Sequence, residues 1–462
     1  MNDRLCYKTT PDIIFVFLGF MSVIEYYASF ENGNVLYSNF LILQLFSTFV
    51  LSYYYTVKRI GFFHIFSLLH VTLFIFAFGG IIASPIVENA DFRTSITPLA
   101  VRFKEDVIQQ VLSLYSVYIC FSFVAFFYFH RKFYRDRSFS LQTNNYYLLI
   151  AKKTFLVLFP FALMYAYTMY KIGDGNRVLL YQTGSNDALG VPLYLRITNM
   201  LFTASFYLLI ASCPRKKVFI KYFSLFMCTM IPILMMGERG EVVVPIIFIL
   251  WYFYRVYGIS IDLLKVFLIG TSIMIVSFIV SVTRMGDVVS GLSVFDMILG
   301  FFASSATSFS LLAYYVQFRD SIMDHNYPFF LDSLIGGLTG ATGQSMHVLE
   351  VRSNIGHQLV YSLNPGYYLA GYSTGTSFIA EMYEFGVCGV IIGTVMLGLF
   401  CVLFENKMCK NHFRMLFAYL FFQFLILTPR GSLFVPIYDI IKYILCFCVL
   451  KYTIGLFIKN KY

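Results

Sequence analysis

The chain has 462 residues, of which 59% are hydrophobic and 13% charged, with a formal net charge of +10 and a mean hydropathy of +0.73. Several windows of about 20 residues carry almost no charge, the length that crosses roughly 30 Å of hydrocarbon. This composition reads as an all-α polytopic membrane protein. It excludes an outer-membrane barrel, whose segments would be short and alternating, and no nucleic-acid partner is expected.

The first apolar window, 12–30, is too long for a signal-peptide core and lacks a small-residue cleavage site, so it is read as an uncleaved helix. Further windows follow at 39–57, 61–84, 108–129, 147–170, 193–212, 218–236, 242–257, 264–283, 377–404, 415–428 and 436–456, about twelve transmembrane helices in all. The basic clusters HRKFYRDR (130–137), PRKK (214–217), ENKMCKNHFR (405–414) and the terminal IKNKY fall on one side if both termini are cytoplasmic, as the Lys/Arg excess of short cytoplasmic loops requires. The segment SVFDMILGFFASSATSFSLLAYYVQF (293–318) is apolar enough to span, but a further crossing would turn ENKMCKNHFR outward. It is therefore expected to be re-entrant or interfacial. The chain then divides into helices 1–9 over 1–283, one large periplasmic loop with short helices over 284–376, and helices 10–12 over 377–462. The cysteines avoid long polar loops and show no ligand spacing, so neither a disulfide framework nor a metal site is expected.

On this topology the outer side carries Arg93, Arg102, Arg177, Arg196, Arg239, Arg284, Arg319, Arg352 and Arg430, against only Lys104 and Lys171. Topology alone does not favour Arg over Lys. Arginine grips phosphate oxygens two at a time, so the bias points to a phosphate or pyrophosphate ligand presented from the membrane; scattered salt bridges are the plainer alternative.

Within GERGEVVVP (237–245), Glu238, Arg239 and Glu241 sit between two spans. Charge at membrane depth is costly and is usually buried, paired and functional, although a Glu–Arg pair at a helix end would also fit. TPRGSLFVP (428–436) repeats the pattern and puts Arg430 at the same depth as Arg239. Arg284 ends the ninth span in SVTRMGD, where a snorkelling side chain would also fit. The large loop holds His325, His347, Glu350, Arg352 and His357. His347 and Glu350 have helical (i, i+3) spacing, and His and Glu are the usual general bases. PGYYLAGYSTGTS (365–377) offers aromatic and hydroxyl groups suited to a sugar site or to an interfacial belt. In GTSFIAEMYEFGVCG (375–389), Glu381 lies about a turn inside an apolar span, with Glu384 on a neighbouring face, and the outer arginines are the nearest partners for such a carboxylate. Glu25 and the Asp439–Lys442 pair raise the same question in the first and last spans.

The Gly-Glu-Arg-Gly-Glu hairpin, the large loop before the tenth span and the run Ser-Phe-Ile-Ala-Glu-Met-Tyr…Phe-Gly-Val-Cys-Gly (377–389) together resemble the Wzy-type O-antigen or oligosaccharide repeat-unit polymerases of bacterial inner membranes, relatives of the O-antigen ligases. The resemblance implies a GT-C-like fold and a metal-independent, cofactor-free glycosyltransferase in the inner membrane, with its site facing the periplasm. Its partners would be an undecaprenyl-pyrophosphate-linked glycan donor, an acceptor on a second such lipid, the surrounding membrane lipids and a chain-length regulator. It implies that Arg239, Arg284, Arg430 and Arg352 hold pyrophosphate, that Glu238, Glu241, His347 or His357 serves as base or orienting group, and that Glu381 positions an arginine or the acceptor. Two other readings are a ligase that moves finished glycan to lipid A core and a flippase for the same lipid-linked unit. No internal repeat of the kind transporters show is visible.

Overall fold

The computed structural model describes residues 10–86, 91–94, 99, 101–133, 141–173, 190–236, 239–259, 262–284 and 293–454. These residues are almost wholly helical, with no strand among them, and nine of the helical stretches are long and apolar enough to cross a bilayer. The chain is an all-α polytopic membrane protein, as its composition requires: in hydrocarbon a single segment satisfies its own backbone only as a helix.

Helices α1 (Thr10–Ala28) and α2 (Val35–Ile60), the π-interrupted α3 (Ile65–Ala83) and α4 (Glu105–Phe133) form one group. In it α4 is buried on nearly every face. Asn34 caps α2 by accepting from Leu36 N at 2.9 Å, and Gly61, at φ +91°, ends it. A second group comprises α5 (Asn145–Ile172), α6 (Leu193–Ala211) and α7 (Lys216–Met235), joined through stacked rings such as Phe206 and Phe226, 4.0 Å apart. Helix α8 (Arg239–Tyr257) connects this group to the C-terminal helices, and α9 (Leu263–Arg284) follows.

Basic clusters gather at one end of the bundle. Asn406 Nδ2 donates to Phe133 O (3.2 Å), Tyr257 OH donates to Pro214 O (2.7 Å), and the His412 ring meets Ala211 O at 2.6 Å. A buried carboxylate pins this basic end. Glu405, only 2% exposed, accepts from Ile65 N (3.0 Å) and Trp251 Nε1 (2.9 Å) and faces Arg255 Nε at 3.4 Å. Asp12 likewise holds Arg59 at 3.0 Å, and Arg131 as well.

The opposite end carries the large loop. The stretch 293–318 is two helices, α10 (Val294–Ser305) and α11 (Thr307–Phe318), broken at Ala306. A Ser293–Asp296 capping box starts α10, which packs on α9 and on the last turn of α3, with Phe302 against Gly79. Helix α11 lies along the first half of α4: Phe309 stacks on Tyr115, Tyr314 meets Phe103, and Lys104 N donates to Gln317 Oε1 at 3.1 Å. Short helices follow, α12 (Phe329–Ile335), α13 (Met346–Val351), α14 (Ile355–Leu363) and α15 (Pro365–Leu369).

The window read from sequence as a tenth span, 377–404, is two helices. The six-residue α16 (Phe378–Tyr383) ends at a bend where Gly386 takes φ +65°, and α17 (Gly386–Lys407) is the spanning helix. Helix α16 lies back along α17: a Cβ on Gly389 would stand 2.1 Å from Met382 O. The bundle closes with α18 (Ala418–Leu427) and α19 (Ile437–Val449), joined by the turn 428–436.

Candidate active site

Three remote segments meet at the loop end: α16, the turn between α18 and α19, and the loop helices α12 to α14. All six residues of α16 are buried. Ser377 caps the helix by accepting from Ala380 N, Phe378 N donates to Thr428 O at 3.1 Å, and the hydroxyls of Tyr383 and Tyr26 lie 2.6 Å apart. This anchoring seals Glu381 from water at 3% exposure. Its Oε1 accepts from Thr376 Oγ1 at 2.8 Å. Oε2 is buried without a hydrogen bond of good geometry, although the Ser432 hydroxyl is close enough to favour the charged form. Burial pushes the carboxyl up to about 8, with Asp332 and Glu384 adding to the shift and the Thr376 and Ser432 hydroxyls opposing it.

The turn 428–436 presents Arg430 at the surface, its guanidinium 5.5 Å from the Phe76 ring centroid on α3. Two residues on, the buried Ser432 accepts from Ser333 Oγ of α12 at 2.6 Å. The loop is thereby fastened to the arginine turn.

Next to Ser333, Asp332 is 3% exposed and takes four donors: Arg352 Nη2 at 2.8 Å, Arg352 Nε at 3.2 Å, Tyr327 OH at 2.9 Å and Asn354 Nδ2 at 3.3 Å. Such a two-point grip fixes the guanidinium plane. Gly336 makes room for it, since a Cβ there would stand 2.5 Å from Asp332 Oδ1 and 2.8 Å from Arg352 Nη2. Burial, then the Asp332 carboxylate, pushes the Tyr327 hydroxyl up to about 12. Asn354 also caps α14 through His357 N. The His357 ring rests against Tyr368, and burial, then the Arg352 charge, pushes it down to about 4, so it is a neutral imidazole at physiological pH.

A further carboxylate, Glu384, closes the α16 bend. It accepts from Phe329 N at 2.8 Å and faces His325 Nε2 at 2.9 Å, while its carbonyl accepts from Arg319 Nη2 at 3.1 Å. Among the described residues, no group of three or more His, Cys, Asp or Glu is placed to hold a metal ion.

Compared with known protein families, the sequence matches the model described as O-antigen polysaccharide polymerase Wzy over residues 12–461, nearly the whole chain. The chain belongs to this family. Neither the curated proteins nor the solved structures contain a match to it. Membership makes the protein a glycosyltransferase-type polymerase of O-antigen repeat units, embedded in the membrane by many helices and acting on lipid-linked oligosaccharides.

The fold of the polymerase brings Glu381, Arg352 and His357 together with the turn that bears Arg430. His347 does not join it: α13 turns Val348 and Leu349 inward and leaves His347 and Glu350 exposed. Glu238 lies outside the described residues, as do the side chains of Arg239, Glu241 and Arg284. The backbone of α8 is described, and Tyr257 stands at its basic end, so Arg239 starts that helix at the loop end. The partners of the two carboxylates near the tenth span are hydroxyls for Glu381 and a backbone amide and an imidazole for Glu384, rather than the guanidinium groups expected. Sequence reading missed Asp332, Ser333 and Ser432. The lone carboxylate in the apolar run FFLDSLIGG is the signal by which Asp332 could have been found.

Proposed function

We propose that the polymerase moves a growing glycan from undecaprenyl pyrophosphate to the terminal sugar of a second undecaprenyl-pyrophosphate-linked repeat unit, at the periplasmic face and without a metal. The acceptor hydroxyl attacks the donor's anomeric carbon. A new glycosidic C–O bond forms as the bond to pyrophosphate breaks, and the pyrophosphate leaves with the electron pair. The hydroxyl proton passes to Glu381, the base in this scheme.

The observation that carries this reading is the burial of Glu381 against the turn that bears Arg430, with the Asp332–Arg352 pair locked to that turn through Ser333. A carboxyl pushed up to about 8 is matched to proton transfer near neutral pH. Arg430 and the pre-oriented Arg352 stabilise the charge that develops on the departing diphosphate, and Arg239 and Arg284 are assigned to the same role. His357 orients the acceptor as a neutral imidazole, and Glu238, Glu241 and His347 remain proposed substrate contacts. Asp332 is a positioning residue, because it fixes Arg352 and touches no substrate in this scheme.

We also propose that 293–318 is re-entrant. Among the described residues, the stretch is one of the nine long enough to cross a bilayer; in support of re-entrance, α10 packs on the last turn of α3 and α11 on the π-turn Phe74–Phe78 just below it and on the first half of α4. The joint position of the basic clusters supports cytoplasmic termini, with the loop on the periplasmic side. A chain-length regulator is a proposed partner.

Two experiments test the function. Deletion should leave single repeat units on lipid A core, whereas loss of a ligase leaves none. The purified protein in nanodiscs with lipid-linked repeat units should give a ladder of longer glycans without added metal. Transport without elongation would overturn the enzyme reading.

A further inference from the structure

A cavity of about 350 Å³ lies between α5, α6, α7, α18 and α19. Sites that enclose small ligands have volumes of about 300–1,000 Å³. Its lining is unusual for the inside of a helical bundle in a membrane. Asp439 and Lys442 of α19 form an ion pair on its wall, with the Lys442 ammonium 4.8 Å from the Tyr443 ring centroid. Gln423 of α18 and Asn199 of α6 add two amides. Tyr207 packs against both Tyr443 (4.7 Å) and Tyr419 (5.6 Å) to make an aromatic wall.

Paired charge and amides at membrane depth are costly and mark a substrate path. The chemistry of the lining narrows the ligand. The two charges cancel, so the cavity has no net attraction for a lone diphosphate. Carboxylate, ammonium, amide and phenol groups alternately accept and donate, beside flat apolar rings. That combination fits a pyranose, which carries hydroxyls at its edge and C–H groups on its face. The location fits too, because Gln423 and Asp439 stand on the two helices that the Arg430 turn joins, and that turn also touches α16 beside Glu381.

We propose that this cavity is a sugar-binding subsite that holds residues of the lipid-linked repeat unit while its reacting end lies at the Arg430 turn. The proposal rests on the polymerase reading and adds to it where the glycan is read.

The test uses full-length protein in nanodiscs with three variants, Gln423→Ala, Asn199→Ala and Asp439→Asn. Gln423→Ala leaves the ion pair intact and so guards against a folding failure. Each variant should raise the KM for the lipid-linked repeat unit about tenfold, the loss of one or two hydrogen bonds to a sugar, with kcat nearly unchanged. Inhibition by sugar-free undecaprenyl pyrophosphate should be unaltered. Equal weakening toward both ligands would assign the cavity to the diphosphate or the lipid and overturn the proposal, and so would an unchanged KM. Calorimetric titration with the free repeat-unit oligosaccharide needs no turnover: wild type should bind it and Gln423→Ala should bind about tenfold more weakly. If wild type binds the oligosaccharide but makes no ladder, the subsite stands and the polymerase reading fails; if wild type makes a ladder but the variants bind like wild type, the reverse holds.

Discussion

The Ser333 hydroxyl donates a 2.6 Å hydrogen bond to the Ser432 hydroxyl across a sequence separation of 99 residues. This contact ties the loop helix that carries Asp332 to the turn that carries Arg430. Ser432→Ala should therefore cost little stability, about 1 kcal/mol for one hydrogen bond, yet slow polymerisation by about tenfold through lost alignment of reacting groups. Comparing the thermal unfolding midpoint in detergent with the initial elongation rate checks this. A rate that falls only in proportion to folded protein would mean that the contact is structural alone.

Glu381 makes a prediction about pH. Its ordinary value of 4.5 is raised to about 8 by burial, and in the proposed mechanism the base is the carboxylate. The rate should climb about tenfold per pH unit below 8 and level off above it. The sign for stability is opposite. The fold favours the protonated carboxyl, so that contribution is complete below 4.5 and is lost as the pH rises through about 8. Glu381→Gln should flatten both profiles and cut the rate by about a hundredfold or more. A Gln variant that keeps the wild-type pH–rate curve would remove Glu381 from the chemistry.

The Asp332–Arg352 pair separates charge from geometry. Removing Asp332 leaves Arg352 beside a buried site with no counter-charge, so Asp332→Ala should destabilise by about 3 kcal/mol. Arg352→Lys keeps the charge but cannot reproduce contacts through Nε and Nη2 together. Its kcat should fall with KM little changed, because a misdirected cation fails chiefly in the transition state. Elongation kinetics on the purified variants decide this.

Much of the fold is legible in the sequence because membrane helices announce themselves by uninterrupted apolar length. The bend at Gly386 is not, since one glycine in FGVCGVIIG looks the same whether the chain continues straight or folds back with φ +65°. Arg430 and Glu381 stand out as charges in oily surroundings. Asp332 is tied to Arg352 and Ser432 to Ser333 across 20 and 99 residues, and no local spacing encodes those pairings. Glu405 shows the same limit: it reads as one charge of a basic loop, yet its carboxylate joins α3, α8 and α17.

That carboxylate belongs to the scaffold, remote from the proposed chemistry. Glu405→Ala should remove a hydrogen-bonded anion from beside Arg255 and Trp251 and cost about 3–5 kcal/mol. The yield of monodisperse protein should drop, while kcat per folded molecule stays near wild type. Chromatographic yield measured beside specific activity resolves the two effects.

In the proposed mechanism the turn between α18 and α19 holds the leaving diphosphate through Arg430 and packs against the helix that carries the base Glu381. The most direct measurement of this is the glycan ladder made by wild type, Arg430→Ala and Arg430→Lys protein in nanodiscs supplied with one lipid-linked repeat unit. Wild type should give a full ladder, Arg430→Ala none and Arg430→Lys only the shortest rungs, with all three proteins equally folded. A wild-type ladder from folded Arg430→Ala protein would contradict the mechanism.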